Sequence, residues 1–274
     1  MLPTFYISDC SDDNVRVRYA ARIAAATPQA GAVQFVGVTS DLEAAGNLVD
    51  LLDGLEGAEA LIFVNVAPRG TQKTKWPNGT PFGYLQWNHS YIFTTIDGYT
   101  LSLLQKISEA PLNIQVFDIP TVVPFLTPDT ALQARITKSQ FRSFDFLPRV
   151  AGHILGGNTV PTEPLNGIPE APTAVWWTDN FGNAKTTLLT QDFIGKPADI
   201  FEVRIGGTLV GSIPVYDRLK DLPHGEVGIY AGSSGFGAKR FMEITKQKGE
   251  SLLLGETSRA FNLKSGDVIE LKKA

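Results

Sequence analysis

Apolar positions along the chain fall into short runs separated by amphipathic stretches. Phe5-Tyr6-Ile7-Ser8 predicts a strand closed by Asp9-Cys10-Ser11-Asp12-Asp13. Val15, Tyr19, Ile23 and Ala24 then recur near helical spacing, with Ser11 or Asp12 as cap. Ala32 to Val38 predicts a second strand, and Ser40 caps a predicted helix carrying Leu42, Leu48, Leu51, Leu52 and Leu55. Ala60-Leu61-Ile62-Phe63-Val64 has the unbroken apolar character of a buried parallel strand. A polar segment follows, with Asn65, Lys73, Lys75, Trp76 and Asn78, before a second β-rich run at Tyr91-Ile92-Phe93-Thr94-Thr95 that ends at Asp97-Gly98-Tyr99. A connection of about twenty residues exceeds what most connectors need, and such loops are either functional or surface excursions. Open α/β sheets place ligands at the carboxyl ends of their strands, where this loop begins. A helix near Leu101 to Ser108, a strand over Asn113 to Phe117 and a helix between Phe146 and Leu155 continue the alternation, predicting a parallel sheet covered on both sides.

The character changes at Gly156. Residues 156–172 hold four prolines among Gly and Asn breakers with no hydrophobic period, as expected of a linker or an extended crossover. Beyond it come strand-like runs: Ala174 to Trp177, Ile200 to Ile205, Glu226 to Tyr230, Phe241 to Ile244 and Asp267 to Leu271. Short strands with glycine turns predict a small barrel or sandwich. The expected fold class is an N-terminal parallel-sheet α/β domain (residues 1–155), a linker (156–172) and a smaller all-β, barrel-like C-terminal domain (173–274).

Composition narrows the function classes. A net charge of -4 over 274 residues gives no reason to expect nucleic acid or an anionic membrane as partner. The single cysteine, Cys10, excludes an intramolecular disulfide and a cysteine-based zinc site. The opening residues lack a signal-type basic and apolar pattern, and no apolar run approaches about 18 residues, so a reduced cytoplasmic setting is expected.

Asp9 follows the first strand directly. A carboxylate there suits a ribose diol, accepting two hydroxyl hydrogen bonds, and equally suits a turn or helix cap. Neither GxGxxG, GxxxxGK[ST] nor GxSxG occurs in the chain, so the common phosphate cradles and the hydrolase nucleophile elbow are not indicated. Asp179-Asn180-Phe181-Gly182-Asn183 sets an aromatic ring beside an amide, which fits an adenine through stacking and edge pairing; the same residues are also good turn formers. Ser233-Ser234-Gly235-Phe236-Gly237 is a second glycine-rich turn able to bring backbone near a ligand. His89, His153 and His224 show no metal-ligand spacing, and His89 lies within the central stretch.

These pieces, in this order, resemble the S-adenosylmethionine hydroxide adenosyltransferase family, which includes the fluorinase and chlorinase enzymes, over nearly the whole chain. Ile7-Ser8-Asp9-Cys10 resembles the family's TDFG-like strand end, and Val64-Asn65-Val66-Ala67-Pro68 its VDPGVG turn. Phe93 to Leu103 resembles FVGPDNGLLS, and Gln140 to Pro148 resembles TFHGRDIFAP. Asp179 to Asn183 matches DRFGN, Ser234-Gly235-Phe236-Gly237 is similar to NSFG, and Glu243 to Gly249 is similar to EIAVNQGNA. The resemblance implies a homotrimer with S-adenosylmethionine bound between the N-domain of one subunit and the C-domain of the next. It places Asp9 on the ribose hydroxyls, Phe181 and Asn183 around the adenine, and Asp179 on the methionine ammonium, with Ser234 and Phe236 among the substrate contacts.

The implied reaction is attack of a small nucleophile, water or hydroxide first, on the ribose 5′ carbon, giving adenosine and methionine. S-adenosylmethionine is the substrate, and no further cofactor or metal is implied. The family handles water with an Asp, an Arg and a His. Here the Asp position is Asn65 and the His position is Arg142, which stays protonated. Gln72 falls near the Arg position, so Lys73 or Lys75 would supply that charge. Asn65, Lys73 and Arg142 are therefore the candidate catalytic residues, with His89 as a replacement base. The substitutions leave two expectations: a modified cleavage, or a protein that binds S-adenosylmethionine or adenosine without turnover.

Overall fold

The apolar run after Ala60 forms the middle of a sheet. In the computed structural model, which describes residues 1–67, 81–247 and 260–274, this run is the strand β3 defined below, and every residue of it is buried. Alternation divides the strand between two cores: Leu61 and Phe63 face one side, Ile62 and Val64 the other.

The chain order is β1 (Leu2–Ser8), α1 (Asp13–Ala26), β2 (Ala30–Gly37), α2 (Asp41–Gly54), β3 (Leu61–Asn65), β4 (Phe82–Trp87), β5 (Ser90–Thr95), α3 (Ser102–Ile107), β6 (Gln115–Phe117), α4 (Ile119–Leu126), α5 (Thr130–Thr137), α6 (Arg142–Asp145), α7 (Leu147–Leu155) and β7 (Glu163–Pro164). After these come seven strands: β8 (Val175–Thr178), β9 (Ala184–Leu189), β10 (Ile200–Ile205), β11 (Thr208–Pro214), β12 (Val227–Phe236), β13 (Lys239–Lys246) and β14 (Ile269–Lys273). Of the two capping candidates, Asp12 caps α1, accepting from Val15 N, and Ser40 caps α2, accepting from Glu43 N.

The N-terminal sheet runs β2-β1-β3-β5-β4-β6-β7. Its first four strands are mutually parallel, as expected, whereas β4 pairs antiparallel with both β5 and β6. The sheet is therefore mixed. A two-residue turn at Asn88-His89 causes the reversal, with Asn88 at φ 51, a left-handed conformation that asparagine tolerates. Helices α2 and α3 cover one face, and α1, α4, α5 and α7 the other. The proline-rich segment 156–172 is an extended crossover: Glu163–Pro164 pairs with β6, while Leu165 and Ile168 pack on the core beside α2.

The C-terminal strands form two antiparallel sheets, β11-β10-β14 and β12-β13-β9-β8, around a shared apolar core. Single bridges at Val215–Ile229 and Ala174–Val268 join the sheets along both seams, giving the barrel-like closure. The whole is an α/β N-terminal domain followed by a smaller all-β C-terminal one.

One face of α2 seats the second domain. Gly46, Asp50 and Asp53 lie at i, i+4 and i+7, so they share that face. A Cβ on Gly46 would stand 2.1 Å from the Trp176 ring, so only glycine admits this approach. Asp50 takes bonds from Ser234 Oγ (2.8 Å) and Gly235 N (3.0 Å), and Asp53 from Gly237 N (2.9 Å) and Arg240 (2.8 Å). Trp176, Leu189 and Phe241 thereby join the core of the first domain.

Two outcomes follow from this seat. Gly46→Ala should cost about 1–3 kcal/mol by overpacking, read as a lower urea midpoint. Partial burial pushes the Asp53 carboxyl up, but bonds from Arg240 and Gly237 outweigh it and hold the group below its ordinary value of 3.8. Its contribution is thus present above that value and lost as pH falls through the lowered pKa. The stability gap between wild type and Asp53→Asn should close over that acidic range in thermal melts at stepped pH.

Candidate functional site

The parallel strands β1 and β3 end side by side, and their last residues build the first part of the site. Asp9 N donates to the Asn65 carbonyl (3.4 Å), and the Asp9 carboxylate accepts from Ala67 N (3.3 Å). Asp9 is half-buried, and among the described residues its remaining lone pairs are open to a ligand hydroxyl. It does not cap α1, a role that Asp12 fills.

Asn65 lies beneath this edge, only 8% exposed, with Nδ2 3.5 Å from both Ser8 Oγ and Tyr19 Oη. Tyr19 Oη in turn lies 2.5 Å from Ser143 Oγ. Burial raises the Tyr19 hydroxyl far above its ordinary value, so it holds its proton and acts as a neutral partner. Nothing in the sequence marks Tyr19 and Ser143 as a pair. A separation of 124 residues leaves no local signal for their contact.

Arg142 is the residue before Ser143, and its guanidinium lies 5.7 Å from the centre of the Phe82 ring. Burial lowers its pKa, but a guanidinium keeps its charge at neutral pH. Among the described residues it has no carboxylate and no hydrogen-bond acceptor. It lines a cavity of about 390 Å³ together with Ile119, Thr137, Lys138, Ser139 and Gln140. Two cations and several polar groups around a cavity of this size suit a small anion or a polar ligand. Lys73 lies outside the described residues, as do Lys75 and Gln72.

His89 does not belong to this site. It is exposed at the β4–β5 turn, directly before the first residue of β5, and so lies at the amino end of the parallel strands. Asp9 stands at their carboxyl ends, across the length of the sheet. The expectation of His89 as a replacement base is therefore corrected by topology. Among the described residues no group of three or more His, Cys, Asp or Glu is placed to hold a metal ion.

The second part of the site is the turn between β8 and β9. Asp179 organises it: Oδ1 accepts from Phe181 N and Asn183 N (both 2.9 Å), and Oδ2 accepts from Asn183 Nδ2 (2.9 Å). Gly182, at φ 85, supplies the left-handed residue that the turn requires. Phe181 is left 59% exposed, an unusual placement for a large aromatic and a ready stacking surface. Asn183 is held from behind by Thr245 Oγ1, which donates to Oδ1 (2.9 Å).

Ser234 and Phe236 are engaged within the chain. Ser234 is 3% exposed and bonded to Asp50 and Lys185, and the Phe236 ring meets Trp87 edge-on at 5.6 Å. Both side chains hold the second domain on the first. The structure thus brings Asp9, Asn65 and the Tyr19–Ser143 pair together at one edge, with Arg142 next in sequence to Ser143. Asp179, Phe181 and Asn183 form a separate unit on the C-terminal domain.

No protein-family model matches the chain, and no curated protein matches it. Among solved structures, the chain is similar to an uncharacterized conserved protein from Thermotoga maritima, with 19% identity, a TM-score of 0.64 and coverage of 98% of this chain and 100% of that one. It is also similar to a conserved hypothetical protein from Thermus thermophilus, with 20% identity, a TM-score of 0.60 and coverage of 99% and 100%. At these identities the likeness is one of fold, and it spans both domains.

Asp179→Ala removes the acceptor of three N–H groups and should cost about 2 kcal/mol. Amide hydrogen exchange at Phe181 and Asn183 should accelerate together in that variant, well before global unfolding.

Proposed function

We propose that the chain binds S-adenosylmethionine and cleaves it at the ribose 5′ carbon by attack of a small nucleophile, water or hydroxide first, giving adenosine and methionine. The observation that carries this reading is the Asp9 carboxylate, held by Ala67 N at the carboxyl end of β1 with acceptor capacity to spare. A ribose diol is the ligand group that such a carboxylate fits best. The exposed Phe181 beside a fixed Asn183 amide supports an adenine-binding role for the second domain.

In this reading the C5′–S bond breaks with its electron pair going to sulfur, so a sulfonium becomes a neutral thioether. The nucleophile's oxygen forms the new C5′–O bond, and water as nucleophile releases one proton to solvent. The substrate carries its own cationic leaving group, so the protein's task is to position a nucleophile and limit its hydration. Asn65 is neutral and contributes hydrogen bonding only. Arg142 lowers the cost of holding an anion near the cavity, which favours hydroxide or another small anion over neutral water. The unit bearing Phe181 and the edge bearing Asp9 would meet across subunits in a homotrimer, and a cytoplasmic setting belongs to the same proposal. Among the described residues no helix is long and apolar enough to cross a membrane.

A second reading, binding without turnover, is favoured by one specific feature. The position where a charged group would handle water is Asn65, whose buried side chain is bonded, among the described residues, to the neutral hydroxyls of Ser8 and Tyr19.

The test is incubation of the purified protein with S-adenosylmethionine, with and without halide, followed by chromatography of the nucleosides. Adenosine or a 5′-halogenated adenosine supports cleavage. Intact substrate with calorimetric binding supports the second reading, and no binding overturns both. Asp9→Ala should weaken adenosine binding at least about 30-fold, from roughly 2 kcal/mol of charge-assisted hydrogen bonding. Arg142→Ala should lower turnover more than affinity.

A further inference from the structure

Behind the Asp179–Asn183 turn lies a buried chain of side chains that the proposed reaction does not use. Glu243, on β13, is 4% exposed. Its Oε2 lies 3.1 Å from Tyr230 Oη, that oxygen lies 3.1 Å from Thr245 Oγ1, and Thr245 Oγ1 lies 2.9 Å from Asn183 Oδ1. The other Glu243 oxygen accepts from Ser233 N (3.3 Å). A Cβ on Gly232 would come within 2.4 Å of the Glu243 carboxyl, so the strand closes over it.

Counting protons along this chain fixes its direction. The Asp179 carboxylate accepts at Oδ2, so Asn183 must present Nδ2 there and its carbonyl oxygen to Thr245. Thr245 then spends its only proton on Asn183, so its 3.1 Å contact with Tyr230 is a hydrogen bond only when Tyr230 donates there. The contact between Tyr230 and Glu243 is left without one unless Glu243 supplies it. An ionised Glu243 gives two protons for three buried contacts, whereas a protonated Glu243 gives three for three.

We propose that Glu243 is a positioning residue that carries a proton when the turn is fully ordered, heading a one-way hydrogen-bond chain that fixes the Asn183 amide. The second Asn183 N–H, which has no acceptor among the described residues, is then aimed as a donor for a ring nitrogen of a purine. This ligand assignment rests on the adenosine reading above.

The surroundings of Glu243 agree with the geometry. Burial raises its pKa above the ordinary 4.5, and the charge of Asp179, at the end of β8, acts in the same direction. Lys185 on β9 and the bond from Ser233 N on β12 pull the other way, as would a proton donated by Tyr230, and the net direction remains upward. The Lys185 ammonium is itself held by Ser234 Oγ (2.5 Å) and by Asp50 (3.5 Å). A raised pKa makes the complete chain, and its stabilisation, present at low pH and lost as pH rises through that pKa.

Glu243→Gln tests this directly, because its amide donates to Tyr230 and accepts from Ser233 at every pH. The infrared difference between wild type and this variant should show a protonated carboxyl that persists to higher pH than that of an ordinary glutamate. Wild-type affinity for adenosine should then fall about fivefold as pH rises further, the loss expected for one hydrogen bond. The Gln variant should hold its affinity constant, and Tyr230→Phe should bind weakly without the pH dependence. Absence of the protonated band, or a Gln variant that follows the wild-type profile, overturns the proposal. A protonated band in a protein that binds no adenosine at any pH upholds the Glu243 chain and overturns the purine reading.

Discussion

The approach of Trp176 to Gly46 is the contact on which the rest of the molecule depends. A helix backbone and an indole ring meet where a side chain would stand, and this closeness lets Asp50 and Asp53 reach the second domain. The apolar contact sets the distance and the carboxylates set the orientation. Arg240, Lys185 and two backbone N–H groups answer those carboxylates, so the interface has one apolar centre and a polar rim. The buried Trp176 indole N–H has no acceptor among the described residues, so the polar rim compensates a partly unsatisfied centre.

This arrangement governs what the candidate site can be. Residues that would otherwise be free for a ligand, Ser234 and Phe236, are committed to holding the domains together. In the proposed reading, the Asp9 edge and the Phe181 turn would each take a share of nucleoside recognition. The turn owes its rigidity to Asp179 in front and to Thr245 behind, so an aromatic ring can stand exposed without collapsing onto the surface. The Asp9 edge is held differently, by the strand ends themselves and by neutral hydroxyls that cannot take up a proton from water.

What was legible in the sequence was whatever depends on local pattern. The buried strand after Ala60, the caps at Asp12 and Ser40, the crossover after Gly156 and the Asp179 turn all carry their signals within a few residues. The antiparallel β4 was not legible, because Phe82 to Trp87 mixes buried and exposed positions and pairs on both sides. Helices α4 and α5 were missed for a related reason: proline interrupts α4, and only Ile136 of α5 is buried. His89 was misplaced because closeness in sequence to the central loop says nothing about which end of a sheet a residue occupies. The Glu243 chain joins β8, β9, β12 and β13 through single atoms, and no periodicity encodes such a path.

The closure of the second domain has a dynamic consequence. Its two sheets are joined along each seam by a single bridge, Val215 with Ile229 and Ala174 with Val268, while the strand pairs within each sheet are zipped over several residues. The Ala174–Val268 seam also carries bonds from Val175, Gly266 and Ile269 N, whereas the Val215–Ile229 seam carries the bond from Tyr216 N to the Ile229 carbonyl, so the latter should open at free energies below global unfolding. Ile229 directly precedes Tyr230, so each such excursion loosens the neighbour of the middle hydroxyl in the Glu243 chain. The least secure stitch in the barrel is therefore sewn beside its most exacting hydrogen bonds.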